Sequence, residues 1–311
     1  MSSPRQFDHG VAGQSVLVTG GAGFIGSHIA DALVPDNDVA ILDDLSTGRR
    51  ANVPDGATLH VGDVTDSEDR GAVMDGVDLV FHEAAVVSVA RSVDAPVETN
   101  RTNVEATLQL LEGARQESAR VVFASSAAIY GRPDSVPIAE SDRARPTSPY
   151  GVSKLAAEQY VQLYAQLYDL PTVALRYFNA YGPRQPGGDY SGVISTFVEQ
   201  ARAGDPITVN DDGGQTRDFV HVEDIVRANL VAATTDATGA AYNVGTGSTI
   251  TIADLAERVR AAAGSNSPIH NVEGRPGDIR HSRADATLAR ERLGFEATVT
   301  LEDGLATVPG L

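Results

Sequence analysis

One glycine-rich segment constrains the fold of this chain more than any other part of its sequence. An apolar run over residues 16–19 leads directly into Gly20-Gly21-Ala22-Gly23-Phe24-Ile25-Gly26, and a segment with helical periodicity follows. Glycine here permits a tight turn and lets backbone N–H groups at the helix N-terminus approach a pyrophosphate. The pattern predicts a strand, a turn and a helix that together bind a dinucleotide.

Short apolar runs rich in β-branched residues recur through the first part of the chain and are mostly separated by segments with helical periodicity. The runs cover residues 15–19, 39–43, 58–63, 78–82, 121–125 and 172–176, and the helical segments include 25–34 and 103–117. This alternation predicts an α/β fold, a Rossmann-type doubly wound parallel sheet with helices on both faces. Nearly every run ends in a polar residue, so we expect a site at the carboxyl ends of the strands.

The character of the sequence changes after Tyr181, where loops rich in Gly, Pro and Asp replace the regular alternation. Further helices are predicted near residues 193–203, 222–233 and 252–263. We therefore expect an NAD-binding Rossmann domain over residues 13–180 and a smaller C-terminal α/β substrate lobe over 181–311. Parts of about 220–262 are expected to pack back on the Rossmann domain.

Composition excludes several classes of function. The chain has no cysteine, so thiolate chemistry and disulfides are ruled out, and we expect no metal site. Its net charge of −18 repels nucleic acid and anionic membranes, and so acidic a surface is typical of a salt-loving organism. The N-terminal segment lacks the basic and apolar parts of a secretory signal, so we expect a cytoplasmic enzyme without membrane or nucleic-acid partners.

Asp43 ends the second predicted strand at about the 20-residue offset from the glycine motif where a carboxylate binds ribose hydroxyls. Two neighbouring carboxylates would repel a 2′-phosphate, so Asp43 and Asp44 favour NAD over NADP, although arginines follow at 49 and 50. Asp63 and Val64 are predicted to contact the adenine. In the glycine turn, the predicted cofactor-binding residues are Gly20, Gly23, Phe24, Ile25 and Gly26.

Three side chains are candidates for proton handling. Ser148 and Pro149 form an N-cap and first helical residue, so Tyr150 and Lys154 share one face of a predicted helix. A nearby ammonium favours the phenolate, so we expect Lys154, the only lysine of the chain, to lower the pKa of Tyr150. The Ser126 hydroxyl can both donate to and accept from a reacting oxygen. We predict that Ser126, Tyr150 and Lys154 are catalytic.

Nine sequence segments occur in the order found in one enzyme family. They are TGGAGFIGSH, DDLSTG, FHEAA, SSAAIYG, SPYGVSK, RYFNAYGPRQ, QTRDFVHVED, YNVGTG and RPGDIRHSRAD, and they span nearly the whole chain. In these motifs the chain resembles extended short-chain dehydrogenases/reductases of the NAD-dependent epimerase/dehydratase family, UDP-glucose 4-epimerase type. The resemblance implies that Tyr150 is the acid/base, Lys154 binds the nicotinamide ribose, and Ser126 bonds the reacting sugar oxygen.

The resemblance also implies roles outside the triad. Asn103 and Tyr177 would border the cofactor, and we place Ala84 of the FHEAA motif with them. The residues that would hold the nucleotide diphosphate of a UDP-sugar are Asn179, Arg217 and Arg275. Two arginines suit this task because each can make bidentate, charge-assisted hydrogen bonds to phosphate.

The expected reaction is 4-epimerisation of UDP-glucose and UDP-galactose, through transient oxidation at C4 to a 4-keto sugar and return of the hydride. In 4,6-dehydratases of the family, Asp-Glu occupies the positions of Ala127 and Ala128, whose methyl groups cannot carry protons, so dehydration is disfavoured. A uronate epimerase, a decarboxylase or a reductase would keep the same triad and stays open. A non-catalytic NAD-sensing regulator is disfavoured because Tyr150 and Lys154 are both present.

Ser282 occupies a position where, in related 4-epimerases, a bulky tyrosine is associated with exclusion of N-acetyl groups. The smaller side chain predicts that N-acetylhexosamine substrates are also accepted. Two departures from the family bear on the substrate: Glu83 replaces an apolar residue or glutamine, and Val87 lies where some epimerases have lysine.

A homodimer is expected from the helices near 103–117 and 149–168. These helices carry apolar positions beyond those that the sheet can cover, and in the family this pair forms the dimer interface.

Overall fold

The fold centres on a parallel sheet that helices cover on both faces. The computed structural model describes residues 10–187, 192–274 and 279–311. Its strands are β1 (Ser15–Thr19), β2 (Asp38–Asp43), β3 (Thr58–Val61), β4 (Leu79–His82), β5 (Arg120–Ser126), β6 (Thr172–Tyr177), β7 (Asn179–Tyr181), β8 (Ile207–Asn210), β9 (Thr216–Arg217), β10 (Phe219–His221), β11 (Ala240–Val244), β12 (Ile250–Thr251) and β13 (Ile269–Val272). Its α-helices are α1 (Phe24–Leu33), α2 (Ser67–Met74), α3 (Val89–Asp94), α4 (Pro96–Asn100), α5 (Ala106–Glu117), α6 (Pro149–Tyr168), α7 (Val193–Ala203), α8 (Val222–Thr234), α9 (Ile252–Ala262), α10 (Thr287–Leu293) and α11 (Leu301–Leu305).

The central sheet has seven strands in the order β11-β6-β5-β4-β1-β2-β3. All neighbouring strands in it are parallel. From β1 the chain moves outward through β2 and β3 and then returns to place β4 on the other side of β1. Such a reversal opens a crevice at the carboxyl ends of the strands, where ligands bind in open α/β sheets. The predicted Rossmann-type, doubly wound sheet is confirmed.

Side chains of β1 alternate between the two apolar layers that enclose the sheet. Val16 and Val18 pack in the layer that contains Ile29 of α1, whereas Leu17 packs in the layer that contains Leu110 of α5. Successive side chains of a strand point to opposite faces, so a strand covered on both sides must be apolar at every position. This explains why the sequence reads as a continuous apolar run here.

The second half of the chain contributes both to a separate lobe and to the sheet. In the lobe, α7 packs against α9 around an apolar cluster that includes Ile194 and Phe197. By contrast, α8 packs against α1, and β11 pairs with β6 at the edge of the sheet. The sequence patterns did not identify β11 as a strand. The division into residues 13–180 and 181–311 stays a prediction.

A buried ion pair holds α6 against the sheet. Arg176 on β6 donates through Nη2 and Nε to the carboxylate of Glu158 on α6, at 2.7 and 3.0 Å. Ser125 on β5 donates to the same carboxylate at 2.6 Å. The Glu158 side chain has no exposed surface, and a buried charge that loses its partner is strongly destabilising. This pair therefore fixes where α6 lies relative to β5 and β6.

The start of α6 is confirmed as predicted. Ser148 Oγ accepts a hydrogen bond from Gly151 N at 3.1 Å, and Pro149 is the first helical residue. Tyr150 and Lys154 consequently lie in the first two turns of the helix. Within the ranges that the structure describes, no helix is long and apolar enough to cross a bilayer.

Candidate active site

A cavity of about 440 Å³ lies at the carboxyl ends of the central strands. It extends from the glycine turn after β1 to the first two turns of α6. The predicted site residues that line it are Gly20, Gly23, Phe24, Ile25, Gly26, Asp43, Asp63, Val64, Ala84, Ser126, Tyr150, Lys154 and Tyr177. Residues from distant parts of the sequence thus come together in one cavity, as the strand-end argument predicts.

The glycine turn brings backbone close to backbone at the head of α1. Gly20 has φ +69°, and a Cβ atom at this position would lie 2.8 Å from the backbone N of Ala84. Gly23 is the N-cap of α1, and no side chain caps the backbone N–H groups of the first turn there. A side chain at Gly20 would clash, and the free N–H groups suit an anionic group such as pyrophosphate. These residues fit a dinucleotide.

Asp43 has two roles at the end of β2. Its Oδ2 accepts from Ala22 N at 2.9 Å and its Oδ1 accepts from Leu45 N at 2.8 Å, so it orders the turns on both sides. Burial raises the pKa of Asp43, and the two backbone donors oppose that rise. Each carboxylate oxygen has a second lone pair that can accept a ribose hydroxyl. Arg49 and Arg50 are exposed and do not line the cavity.

The Ser126 and Tyr150 side chains both line the cavity, and the Ser126 hydroxyl is close enough to the phenol of Tyr150 to favour its ionised form. Ser126 ends β5, and its Oγ accepts from Ala128 N at 3.1 Å. The backbone N of Tyr150 donates to Ser92 Oγ at 3.1 Å, which ties the start of α6 to α3. The two residues that were predicted to handle protons therefore lie in one cavity, where the backbone of Ala128 holds the Ser126 hydroxyl and Ser92 holds the backbone of Tyr150.

The electrostatic environment of Tyr150 differs from the prediction. Burial raises its pKa, the hydroxyl of Ser126 opposes the rise, and the charge of Glu83 adds to it. Lys154 does not lower this pKa in the structure, so the expectation from the four-residue spacing was wrong. The reason is that the Lys154 ammonium turns to the sheet, where it donates to Ala124 O at 2.7 Å and lies 5.0 Å from the centre of the Phe123 ring.

Lys154 and Glu83 are opposite charges that share the cavity. Burial lowers the pKa of Lys154, and the charge of Glu83 raises it again. Burial raises the pKa of Glu83, whereas a hydrogen bond from Tyr177 and the charge of Lys154 lower it. The Tyr177 hydroxyl lies 2.8 Å from Glu83 Oε1. Glu83 stood out in the sequence as a departure from the family, but the sequence did not predict its contact with Tyr177.

Asn103 lies beside the cavity without lining it. Its side chain is buried, accepts from Val86 N at 2.8 Å and donates to Val86 O and to Ser153 Oγ, both at 3.0 Å. It therefore fixes the segment after β4, in which Val86 lines the cavity. Direct contact between Asn103 and the cofactor stays a prediction.

Three of the predicted substrate residues, Asn179, Arg217 and Ser282, gather around β9, and their side chains do not line the cavity, whereas Ser126 does. Asn179 donates to Asp218 O at 2.9 Å, Arg217 lies on β9 itself, and Ser282 N donates to Thr216 O at 3.1 Å. Ser282 is buried. Arg275 lies outside the described residues. The diphosphate and sugar roles of these residues stay predictions.

Asp218 organises this second group, although the sequence analysis did not single it out. Its buried carboxylate accepts from Thr246 N, Thr246 Oγ1, Gly247 N and Ala284 N at 2.7 to 3.1 Å. It thus joins the loop after β11 and the segment at 284 to the residue that follows Arg217. Asp218 could have been found from the sequence, because it directly follows Arg217 in the QTRDFVHVED segment. Among the described residues, no cluster of acidic or histidine side chains is arranged to hold a metal ion.

Comparisons with known proteins agree with this geometry. The sequence profile of the NAD dependent epimerase/dehydratase family matches residues 16–245. A putative UDP-glucose 4-epimerase from Methanocaldococcus jannaschii is 38% identical over 297 residues, which covers 94% of this chain and 96% of that protein.

Two solved structures resemble the chain along nearly its whole length. One is a UDP-glucose 4-epimerase with UDP-glucose from Thermotoga maritima, with a TM-score of 0.90, 38% identity, and coverage of 93% of this chain and 96% of that one. The other is a UDP-N-acetylglucosamine 4-epimerase from Methanobrevibacter ruminantium M1 in complex with UDP-N-acetylmuramic acid, with a TM-score of 0.90, 36% identity, and coverage of 95% and 98%.

Substitution of Asp43 by alanine is expected to weaken NAD binding about tenfold more than NADP binding, because only the free 2′-hydroxyl of NAD uses the carboxylate. Loss of the bonds to Ala22 and Leu45 should weaken the binding of both cofactors alike. The ratio of the two Kd values therefore reports only the contact of Asp43 with the ribose. Calorimetric titration measures both constants. Asp38→Ala, at the exposed opposite end of β2, is the control for charge. If the affinities for NAD and NADP fell equally, the only role of Asp43 would be to order the adjacent turns.

Proposed function

Because the chain belongs to the NAD dependent epimerase/dehydratase family and is an NAD-dependent nucleotide-sugar epimerase, we propose that it interconverts UDP-glucose and UDP-galactose. The observation that carries the proposal is that Ser126 and Tyr150 line the same cavity as the glycine turn. This arrangement combines a dinucleotide site with a side chain that can take and return a proton.

The proton is handled by two hydroxyl groups in this proposal. Bound NAD supplies the acceptor and donor of hydride for the sugar C4 carbon. Tyr150 would act as the phenolate, which the cationic ring of bound NAD favours, and it takes the proton of the C4 hydroxyl and later returns it, so no net proton is consumed. Ser126 donates its single hydroxyl proton to the same sugar oxygen, which aligns that oxygen with the phenol. Lys154, held by Ala124 O, reaches a ribose hydroxyl of the cofactor with its remaining N–H groups.

The residues after Ser126 support epimerisation over elimination of water. Ala127 and Ala128 form the start of a short 3₁₀ turn, and neither has a group that can donate or accept a proton. Elimination needs an acid and a base near the sugar in addition to Tyr150. Decarboxylation or reduction would use the same triad, and product analysis separates these reactions from epimerisation.

The decisive experiment is incubation of the purified enzyme with UDP-glucose or UDP-galactose without added NAD, followed by chromatography of the products. An epimerase regenerates its cofactor in each cycle, so both directions should reach the same mixture. Tyr150→Phe is expected to reduce kcat by about 10²- to 10⁴-fold because the proton carrier is lost. Tyr160→Phe, an exposed tyrosine of the same helix, is the matched control. Activity of Tyr150→Phe within tenfold of the parent would refute the role of Tyr150.

We further propose that the enzyme accepts UDP-N-acetylglucosamine, because Ser282 stands where a bulky tyrosine is associated with exclusion of N-acetyl groups in related 4-epimerases. Its side chain is buried beside β9 and does not line the described cavity, so the proposal rests on this smaller residue and not on a contact. One similar structure is that of a UDP-N-acetylglucosamine 4-epimerase. Ser282→Tyr is expected to lower kcat/KM for UDP-N-acetylglucosamine at least about tenfold relative to UDP-glucose. Steady-state rates with both sugars test this expectation. An unchanged ratio would show that Ser282 is not the gate.

We also propose that the protein is a homodimer. Exposed apolar side chains cluster on α3, α4 and α6, and they include Val93, Val97, Val152, Leu163 and Leu167. In the segment 103–117, Val104 and Leu108 are half-buried and the other leucines are buried, so the contribution of this segment to the interface stays a prediction. Light scattering in high salt, which screens the net charge of −18, should give twice the 32.6 kDa of the chain. A monomer mass under these conditions would contradict the proposal.

A further inference from the structure

Glu83 follows β4, at the point where the order of the strands reverses, and it lines the same cavity as Tyr150 and Lys154. Its carboxylate is close enough to both to influence their charges: it favours the ammonium of Lys154 and disfavours the phenolate of Tyr150. It therefore belongs to the end of the cavity where hydride transfer takes place in the proposed function. The proposed reaction gives Glu83 no role in proton transfer.

A chain of hydrogen bonds fixes this carboxylate and determines its direction. Asn229 Nδ2 lies 2.9 Å from the carbonyl O of Ile225, which can only accept, so this atom must be the donor of the amide. The same nitrogen lies 2.8 Å from the hydroxyl of Tyr177, so Tyr177 accepts from Asn229. The Tyr177 proton must then point to Glu83 Oε1, at 2.8 Å. The network therefore requires an acceptor at position 83.

The network stabilises a negative charge at this position. Burial raises the pKa of Glu83 to about 7, although the donor fixed on Oε1 and the ammonium of Lys154 both oppose the rise, so the carboxylate is mostly ionised at pH ~7.5. The two forms of the cofactor differ in charge at the reacting ring, which is cationic when oxidised and neutral when reduced. A fixed carboxylate in a cavity of low dielectric discriminates between these forms more strongly than it would in water.

We propose that Glu83 determines which redox form of the cofactor the enzyme binds more tightly: its carboxylate, held by Tyr177, stabilises the oxidised form relative to the reduced form. This inference rests on the proposed function, because it assumes that the nicotinamide lies beside Tyr150. The bias has a consequence for a cycle that begins and ends with NAD. It favours return of the hydride to the keto sugar and opposes accumulation of an enzyme that has lost its intermediate and retains NADH.

Glu83→Gln tests the proposal directly, since the glutamine carbonyl can still accept from Tyr177 while the charge is lost. The Kd values of NAD and NADH are measured by calorimetry near pH ~7.5 without any sugar. The ratio Kd(NADH)/Kd(NAD) is expected to fall about tenfold in this variant. Glu291→Gln, which removes an exposed carboxylate on α10, should leave the ratio unchanged. A ratio in Glu83→Gln equal to that of the parent would overturn the proposal.

The same ratio should fall in the parent as pH is lowered from ~7.5 to ~5.5. The titratable groups that face Glu83 are Tyr177, Lys154 and Tyr150, and His82 faces Lys154. Burial lowers the pKa of His82 to about 3 and raises those of both tyrosines, so none of them changes charge between pH ~5.5 and ~7.5. Lys154 stays protonated on the acid side. As pH falls, protonation of Glu83 should therefore lower the Kd(NADH)/Kd(NAD) ratio of the parent. A ratio in the parent that does not change with pH would contradict the proposal.

A further readout separates this inference from the proposed function. During turnover of UDP-glucose, absorbance at the wavelength of reduced nicotinamide should rise further in Glu83→Gln than in the parent. If the parent does not interconvert the sugars but the Kd ratio still shifts, the proposed reaction fails and the role of Glu83 stands. If the parent interconverts them and neither the ratio nor the absorbance shifts, the role of Glu83 fails alone.

Discussion

The buried pairing of Glu158 with Arg176 is the interaction on which the active site depends most. It joins the middle of α6 to β6, and Ser125 joins the same carboxylate to β5. Because a helix is rigid, holding its middle also sets the position of its first two turns, where Tyr150 and Lys154 lie. Ser126 is the neighbour of Ser125 in β5, so the partner of Tyr150 is placed by the same contacts. Alignment of the two reacting hydroxyls thus follows from a charge pair that never contacts the substrate.

Local patterns in the sequence were sufficient to predict the backbone elements around the cofactor half of the cavity. The turn around Gly20, the strand that ends at Asp43 and the cap at Ser148 each depend on a few adjacent residues, and all three are present in the structure. What the sequence could not give depends on contacts between distant residues. Glu83 meets Tyr177 across 94 positions, and β11 joins β6 by pairing that no local periodicity reveals.

The prediction for the pKa of Tyr150 failed for a related reason. Spacing along a helix says that Lys154 is near Tyr150, but not what else the ammonium can reach. In the structure the carbonyl of Ala124 accepts from it, and Glu83 is its opposite charge. The proton-transfer properties of the site are therefore a property of the whole cavity, in which the sheet, α6 and the segment after β4 each contribute one charge or one acceptor. A sequence motif records only the side chains from a single element.

The placement of β11 has a consequence for how the protein is made. The strand occupies the outer edge of the sheet beside β6, yet it is separated from β6 by the residues of β7 through β10 and by α8. A nascent chain that has emerged as far as β6 has a parallel sheet with an unpaired edge strand, all of whose residues are buried in the folded protein. Such an edge readily pairs with other chains. The sheet cannot close until residue 244 has left the ribosome, so shielding of the β6 edge during synthesis is a requirement built into the topology.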